Sequence, residues 1–415
     1  MEVNVEVHYR KCAGLDVHKA SVVACTRVET EGGVAYQTRT FGTTTKQLLA
    51  LAEWLATFEC THVAMEATGV YWKPVWHVLA LVFQLVLANA AQIKGINRPK
   101  TDVSDARWIA DLFAHGLIRA SFVPEQPIQE LRALTRTRTQ FMHDKTRQVQ
   151  RIQKTLEDAN IKLDDVLTSI MGTSGRAMLR ALIAGETDPD ALVKLAHPLV
   201  KASRDGLAEA LQGRVTKNHR FLLQLHLDQV ESIEAAVAKI EEELDAVLAP
   251  FRDDIKRLKT IPGVSDITAH IILSEIGADM SRFPTPQHLV SWARLCPRND
   301  ESAGKRQSTR VRQGSRWLKP ALVQVALGAI KRKKHNYLRA QYYRIKARRG
   351  PMKARIAVAA SILTSAYFVL RDKVPYRELG PDYFDKMSSA KTIERLVQRL
   401  NNLGVDVEIK ERQAA

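Results

Sequence analysis

The sequence predicts a mixed α/β domain followed by a mostly α-helical remainder, and three observations carry that reading. Two β-rich runs, 12–28 and 34–41, open the chain on either side of Gly32-Gly33. Helical and strand-like patterns then alternate as far as Pro124. Beyond Ile128 the pattern changes to long charged stretches with apolar residues three and four apart, the period of a helix face. At 415 residues the chain is too long for one ordinary core, so two or three domains are expected.

The elements follow in order. CAGLDVHKASVVACTRV and VAYQTRTF are rich in β-branched and aromatic residues, and the glycine pair between them predicts a hairpin. QLLALAEWLATF has a helical period; THVAMEATGVYW reads as a strand, 75–83 as a helix, QLVLANA as a strand, and a helix opens at Asp102. A meander followed by strands alternating with helices describes a mixed sheet with helices packed on it. Two long helices are expected at 128–159, with Leu131, Leu134, Phe141, Val149, Ile152 and Leu156 on one face, and at 220–249, with Leu223, Leu227, Val230, Ile233, Val237, Ile240 and Leu244. Their apolar seams predict an antiparallel coiled-coil arm with shorter helices at 174–212 between them. A helical domain begins at Ile255. The expected division is therefore 1–124, 125–254, 255–385 and a tail at 386–415.

Charge narrows the function. The formal net charge is +17, and between Arg298 and Arg355 there are eighteen Lys or Arg against two acids, a net of +16, so nearly all the excess lies in one block. Such a block points to a polyanionic partner, nucleic acid ahead of a membrane surface. Cys12, Cys25, Cys60 and Cys296 show no CxxC spacing, which argues against a disulfide framework or zinc site and fits a reducing cytoplasm. The opening MEVNVEVHYRK lacks a signal-peptide core, and the apolar stretches 75–91 and 356–370 are interrupted or short, so no membrane partner is expected.

The stretch KTDVSDARWIADL sets Asp102 and Asp105 three apart, ahead of Trp108, Ile109, Leu112 and Phe113. Acids there suit the N-terminal end of a helix, and Thr101 or Asp102 can accept its first N–H groups. One acid would suffice for capping. Residues at i and i+3 share a face, so both carboxylates can also address one cation. Asp16 in AGLDVHK and Glu66 in AMEATG lie on two strands that a sheet can bring side by side. Four converging carboxylates cannot all stay ionised without cations, and two Mg²⁺ ions would offset the repulsion and clamp a scissile phosphate. His18 and His77 are read as ordinary histidines, and Trp72 and Trp76 as core.

GLDVHK, AMEATGVYW and NRPKTDVSDARWIADL, in that order, resemble the amino-terminal domain of the DEDD-type insertion-sequence transposases, bridge-RNA-guided recombinases. The resemblance implies the ribonuclease-H fold of Holliday-junction resolvases for this domain. It also implies that Asp16, Glu66, Asp102 and Asp105 are the four metal-binding acids.

In the basic block, LKTIPGVSDITAHIILSEIG has the form helix, Pro-Gly turn, helix, and resembles a helix-hairpin-helix in which Ser265 replaces the second glycine. Direct contact with DNA and simple packing both remain open for it. CPRNDESAGKRQSTRVRQGSRWLKPALVQVA reads as a basic loop before an apolar helix, with hydroxyls at Ser302, Ser308 and Ser315. ESAGKRQS resembles the family's P-x4-S-G-G-K segment, in which the serine is the nucleophile. That alignment implies Ser302 as the catalytic serine, with Ala303 in place of the usual glycine and Ser308 in reserve. Lys305, Arg306 and Arg310 would neutralise the attacked phosphate, and Arg312, Arg316, Lys331, Arg332, Lys333 and Lys334 would join them in binding nucleic acid.

The function expected is thus DNA transposition by a serine nucleophile and a two-Mg²⁺ site. The resemblance further implies donor and target DNA, a guide RNA, a homodimer or homotetramer, and a bacterial cytoplasm with nucleoid association. A junction-resolving nuclease that uses water, or a non-catalytic nucleic-acid-binding protein, are the alternatives.

Overall fold

A computed structural model describes residues 7–66, 69–88, 102–297, 300–302, 305–308, 310–387, 389–407 and 409. The chain divides into two compact units, Met1–Val123 and Pro124–Ala415.

The first unit is built on a five-stranded sheet of β1 (Lys11–Val17), β2 (Ser21–Thr30), β3 (Gly33–Gly42), β4 (His62–Glu66) and β5 (Gln84–Ala88). Their order across the sheet is β3-β2-β1-β4-β5. β1, β2 and β3 pair antiparallel, while β1–β4 and β4–β5 pair parallel. This is the mixed sheet of the ribonuclease-H fold. The run 12–28 is not one strand but two, turned at residues 18–20, where the His18 N–H donates to the Ser21 carbonyl at 2.9 Å. The polar pair His18-Lys19 marks that turn without glycine or proline, which is why periodicity passed over it. The second hairpin does close at Gly33, whose φ of 119° suits a residue without Cβ.

α1 (Thr45–Thr57) and α2 (Trp72–Leu79) cover one face, burying Leu48, Leu51, Leu55, Val75 and Leu79 against Leu15, Val63 and Met65. Trp72 and Trp76 pack at the edge of this core as a T-shaped pair 5.8 Å apart. α3 (Asp102–Ala114) covers the other face with Ala106, Ile109, Ala110, Phe113 and Ala114, a helical stripe of mostly small residues. The small side chains let it approach β1 so closely that a Cβ on Gly14 would sit inside the envelope of Ala106 O and Ala110 N. The same helix is held laterally: Tyr36 donates to Asp111 Oδ1 at 2.5 Å, and the buried Arg27 lies 3.4 Å from that carboxylate.

The second unit opens with α4 (Gln126–Asp158), which pairs with α6 (Lys217–Val247). The ion pairs Lys145–Glu234, at 2.7 Å, and Arg138–Glu241, also 2.7 Å, fix their antiparallel sense. Leu223, Leu227 and Val230 of α6 meet Ile152 and Leu156 of α4 in a core completed by α5 (Thr173–Ala184). The basic part contains α7 (Arg252–Leu258), α8 (Asp266–Ile276), α9 (Pro286–Trp292), α10 (Leu318–Lys331), α11 (Tyr337–Arg349) and α12 (Pro351–Asp372). Between α9 and α10 the expected loop contains a small antiparallel hairpin, β6 (Asp300–Ser302) with β7 (Lys305–Ser308). α12 is long and apolar enough to cross a membrane, yet Val358, Ile362, Leu363, Ala366 and Leu370 are buried within this unit, as in a core helix.

Candidate functional site

Asp16 is the last but one residue of β1, and Glu66 the last of β4. Leu15 pairs with Met65 across these parallel strands, so one step further Asp16 and Glu66 lie side by side at the strands' carboxyl ends. Parallel β-strand ends that open toward helix starts are where α/β folds bind their ligands. Asp102 begins α3 and Asp105 stands one turn on; Thr101, the alternative cap, lies outside the described residues.

The structure also brings in His18, which the sequence pattern marks only as an ordinary histidine. Its Nε2 lies 3.2 Å from Asp16 Oδ2 and 3.5 Å from Asp102 Oδ2. The ligand atoms of Asp16, His18 and Asp102 are all within 4.8 Å of one another. His18 stands two residues beyond Asp16, just past the end of β1, and that position at a carboxyl strand end was the available signal. Asp16 is 6% exposed, whereas the Asp102 carboxylate stands largely in solvent. Burial first, then the charges of Asp102 and Asp105, push the Asp16 carboxyl above its usual range, while His18 beside it opposes the shift.

A divalent cation fits this donor set. Among the described residues, His18 Nε2 is a buried nitrogen that lies 3.2 and 3.5 Å from two carboxylate oxygens without a well-formed hydrogen bond to either. A point shared by nitrogen and carboxylate oxygens satisfies such an atom better than either acid alone. Buried Cys12, on β1, and Cys60, just before β4, take no part, since burial pushes their thiols up to about 12 and about 11.

In the basic unit the backbones of Ser302, Lys305 and Arg306 form the β6–β7 hairpin, in which Ser302 pairs with Lys305. Their side chains lie outside the described residues, as does Ala303. Ser308 Oγ accepts the N–H of Arg310 at 3.2 Å, so the reserve serine closes a turn. Arg310, Arg312, Arg316, Lys331, Arg332, Lys333 and Lys334 are all exposed, which keeps them available to phosphates.

The helix-hairpin-helix resolves in favour of packing at its glycine. Gly263, at φ 89°, is pressed against α10, where a Cβ would come within 2.7 Å of Ala329 N. Ser265 has a structural use as well: its Oγ accepts the Thr268 N–H while Thr268 Oγ1 accepts its own, a reciprocal cap on α8.

The sheet order and its acids define a class, ribonuclease-H-fold proteins with carboxylates gathered at the strand ends. Residues 13–161 match a family described as "Transposase", of DEDD type, and residues 255–343 match the "Transposase IS116/IS110/IS902 family". The chain belongs to the DEDD-type insertion-sequence transposases, DNA-processing enzymes of transposition. It is also similar to a transposase for insertion sequence element IS1111A from Coxiella burnetii (strain RSA 493 / Nine Mile phase I), 24% identical over 324 residues that span 76% of this chain and 79% of the relative.

Proposed function

We propose that this transposase cuts and rejoins DNA with divalent cations held by Asp16, Glu66, Asp102 and Asp105 and with Ser302 as nucleophile. The convergence of Asp16, His18 and Asp102 within 4.8 Å carries the metal half, because two potential ligands at the end of β1 meet a third from the start of α3. A pair of Mg²⁺ ions bound there would hold the scissile phosphate and offset the charge that develops on it.

The chain's own residues supply the rest. The four acids would hold and orient the cations, with His18 at their side. The β6–β7 hairpin presents Ser302, and Lys305, Arg306 and Arg310 neutralise the attacked phosphate. In the covalent step the Ser302 Oγ–P bond forms and one P–O ester bond of the strand breaks. The serine proton leaves to a base, and the departing sugar oxygen takes up a proton. The phosphoserine keeps an ester in place of the broken one, so a hydroxyl of another strand can reverse the step and rejoin. Arg312, Arg316, Lys331, Arg332, Lys333 and Lys334 bind the donor and target duplexes and a guide RNA. A homodimer or homotetramer would hold the two duplexes.

On this reading 1–124 carries the metal chemistry, 125–254 forms an arm, 255–385 carries the serine and backbone contacts, and 386–415 is a tail. The direct test is trapping of a protein–DNA adduct under denaturing conditions. Ser302→Ala should remove the adduct and strand exchange while leaving binding and its salt slope unchanged, because the cationic block is intact. An adduct that persists in Ser302→Ala but vanishes in Ser308→Ala moves the nucleophile to Ser308. Strand cleavage with no adduct in any variant replaces the serine mechanism with hydrolysis by water.

A further inference from the structure

The C-terminal leg of the serine loop ends on a buried charge that the proposed reaction does not use. Glu275, in the last turn of α8, is 1% exposed. Arg136 of α4 grips it with both arms of its guanidinium, Nε to Oε1 at 2.7 Å and an Nη to Oε2 at 3.0 Å. One turn earlier on α4, Arg132 donates to the carbonyls of Ser274 and Glu275 at 3.0 and 2.8 Å, and Thr135 donates to Ser274 Oγ at 3.0 Å. Those carbonyls belong to the helix end, where no intrahelical donor exists, so α4 caps α8 from outside. Burial lowers Arg132 to about 10, which still leaves it charged at neutral pH beside the negative end of a helix.

The same cluster reaches the serine loop by two routes. Ser315 Oγ donates to Glu275 Oε2 at 3.4 Å while accepting the N–H groups of Trp317 and Leu318 at 3.2 Å, which fixes the start of α10. Arg136 also lies over the Trp317 ring, 5.6 Å from its centre. The other leg is tied down beside it. Pro297 bridges to Val311, and Lys319 Nζ donates to Arg294 O at 3.4 Å and Arg312 O at 3.0 Å. Gly314 is packed so close that a Cβ would meet Ala293 O at 2.7 Å. The β6–β7 hairpin therefore stands on a stem whose foot is bonded to Glu275 of α8, the residue that α4 grips through Arg136.

We infer that Arg136, Glu275 and Ser315 form a positioning unit that holds the Ser302 hairpin in register with the α4–α6 helix pair, so that a shift of α4 moves the nucleophile. None of the three touches the reacting atoms. The inference rests on the serine reading for its chemical consequence only. Its physical basis is that a buried ion pair with a planar, two-pronged contact tolerates few geometries, and misplacing a reacting group by about 1 Å costs roughly a hundredfold in rate.

The test uses the full-length chain with its DNA substrate. Arg136→Lys keeps the charge but loses the fork and the ring contact, and Ser315→Ala cuts the link between Glu275 and the loop together with the cap on α10. Each should bind DNA within about twofold of the parent, with the cationic block unchanged, yet form the adduct at least about tenfold more slowly in single-turnover assays. Amide exchange across 296–317 should rise in both while α6 keeps its protection. The double variant should be no slower than the slower single one, because both changes break the same linkage. Adduct rates within twofold of the parent, unchanged exchange at 296–317, or fully multiplicative losses in the double variant would each overturn the inference. If the parent chain forms no adduct at all, the serine reading fails, and the exchange measurement alone still decides whether α4 holds the loop.

Discussion

His18 shows how much one side chain can change the reading of a site. The four acids stand out in the sequence through their motifs and the resemblance those motifs carry, whereas a single histidine in a turn has many uses. Only the fold shows its imidazole between Asp16 and Asp102. Replacing it with alanine should weaken Mn²⁺ binding by about tenfold, at the lower end of losses seen when groups that support metal ligands are removed. Calorimetry on the full chain measures this, and an affinity within experimental error of the parent would make His18 a bystander. The acids predict an opposite pattern for stability. Burial and neighbouring charge raise Asp16, so in metal-free protein at pH 7 the proximity of ionised Asp16 to Asp102 and Asp105 is destabilising. Asp102→Asn and Asp105→Asn should therefore abolish strand exchange without lowering the metal-free melting temperature. A clear fall in that temperature would mean that the pair serves mainly to cap α3.

At the scale of elements, close backbone approach does the positioning. α3 carries two of the acids and is seated on β1 through Gly14 and its own row of alanines. Gly14→Val should force the helix outward at a cost of about 1–3 kcal/mol, the usual penalty for overpacking, and separate Asp102 and Asp105 from Asp16. Metal affinity should then fall while far-ultraviolet circular dichroism stays near the parent; unchanged affinity would show that the acids do not depend on this seat. Gly263 makes the corresponding case against α10. Gly263→Ala combines a left-handed backbone with a steric clash and should destabilise by about 1–3 kcal/mol. The slope of binding against salt should not move, since the glycine packs protein against protein. A reduced slope with normal stability would restore it to the DNA surface.

Over the whole molecule the division of labour follows charge. The block from 298 to 355 holds a net of +16, and its expected nucleic-acid contacts at Arg310, Arg312, Arg316 and 331–334 remain exposed. Replacing Lys331, Arg332, Lys333 and Lys334 together with alanine should lower the salt-dependence slope by as much as about 0.9 for each phosphate no longer neutralised, uniformly across DNA sequences. Binding measured from low to physiological salt reads this directly, and an unchanged slope would exclude these side chains from the interface. The apolar seam of α6, which taken alone would ask for another subunit, finds α4 within the chain. Its burial thus supplies no argument for a particular subunit number.

Sequence alone determined the mixed sheet, the long helices and the concentration of positive charge, because these depend on local periodicity and composition. It also named the four acids, through their motifs and the resemblance those motifs carry. Tertiary structure decided what depends on approach between distant segments. The turn at residues 18–20 put His18 beside Asp102, the seat of Gly14 set the height of α3, and Gly263 was claimed by α10. Glu275 is the plainest case: in the sequence it is one more acid near a helix end, and nothing local separates it from the exposed glutamates of α6. Its burial between Arg136 and Ser315 arises from partners 139 and 40 residues away, and only folding brings them to it.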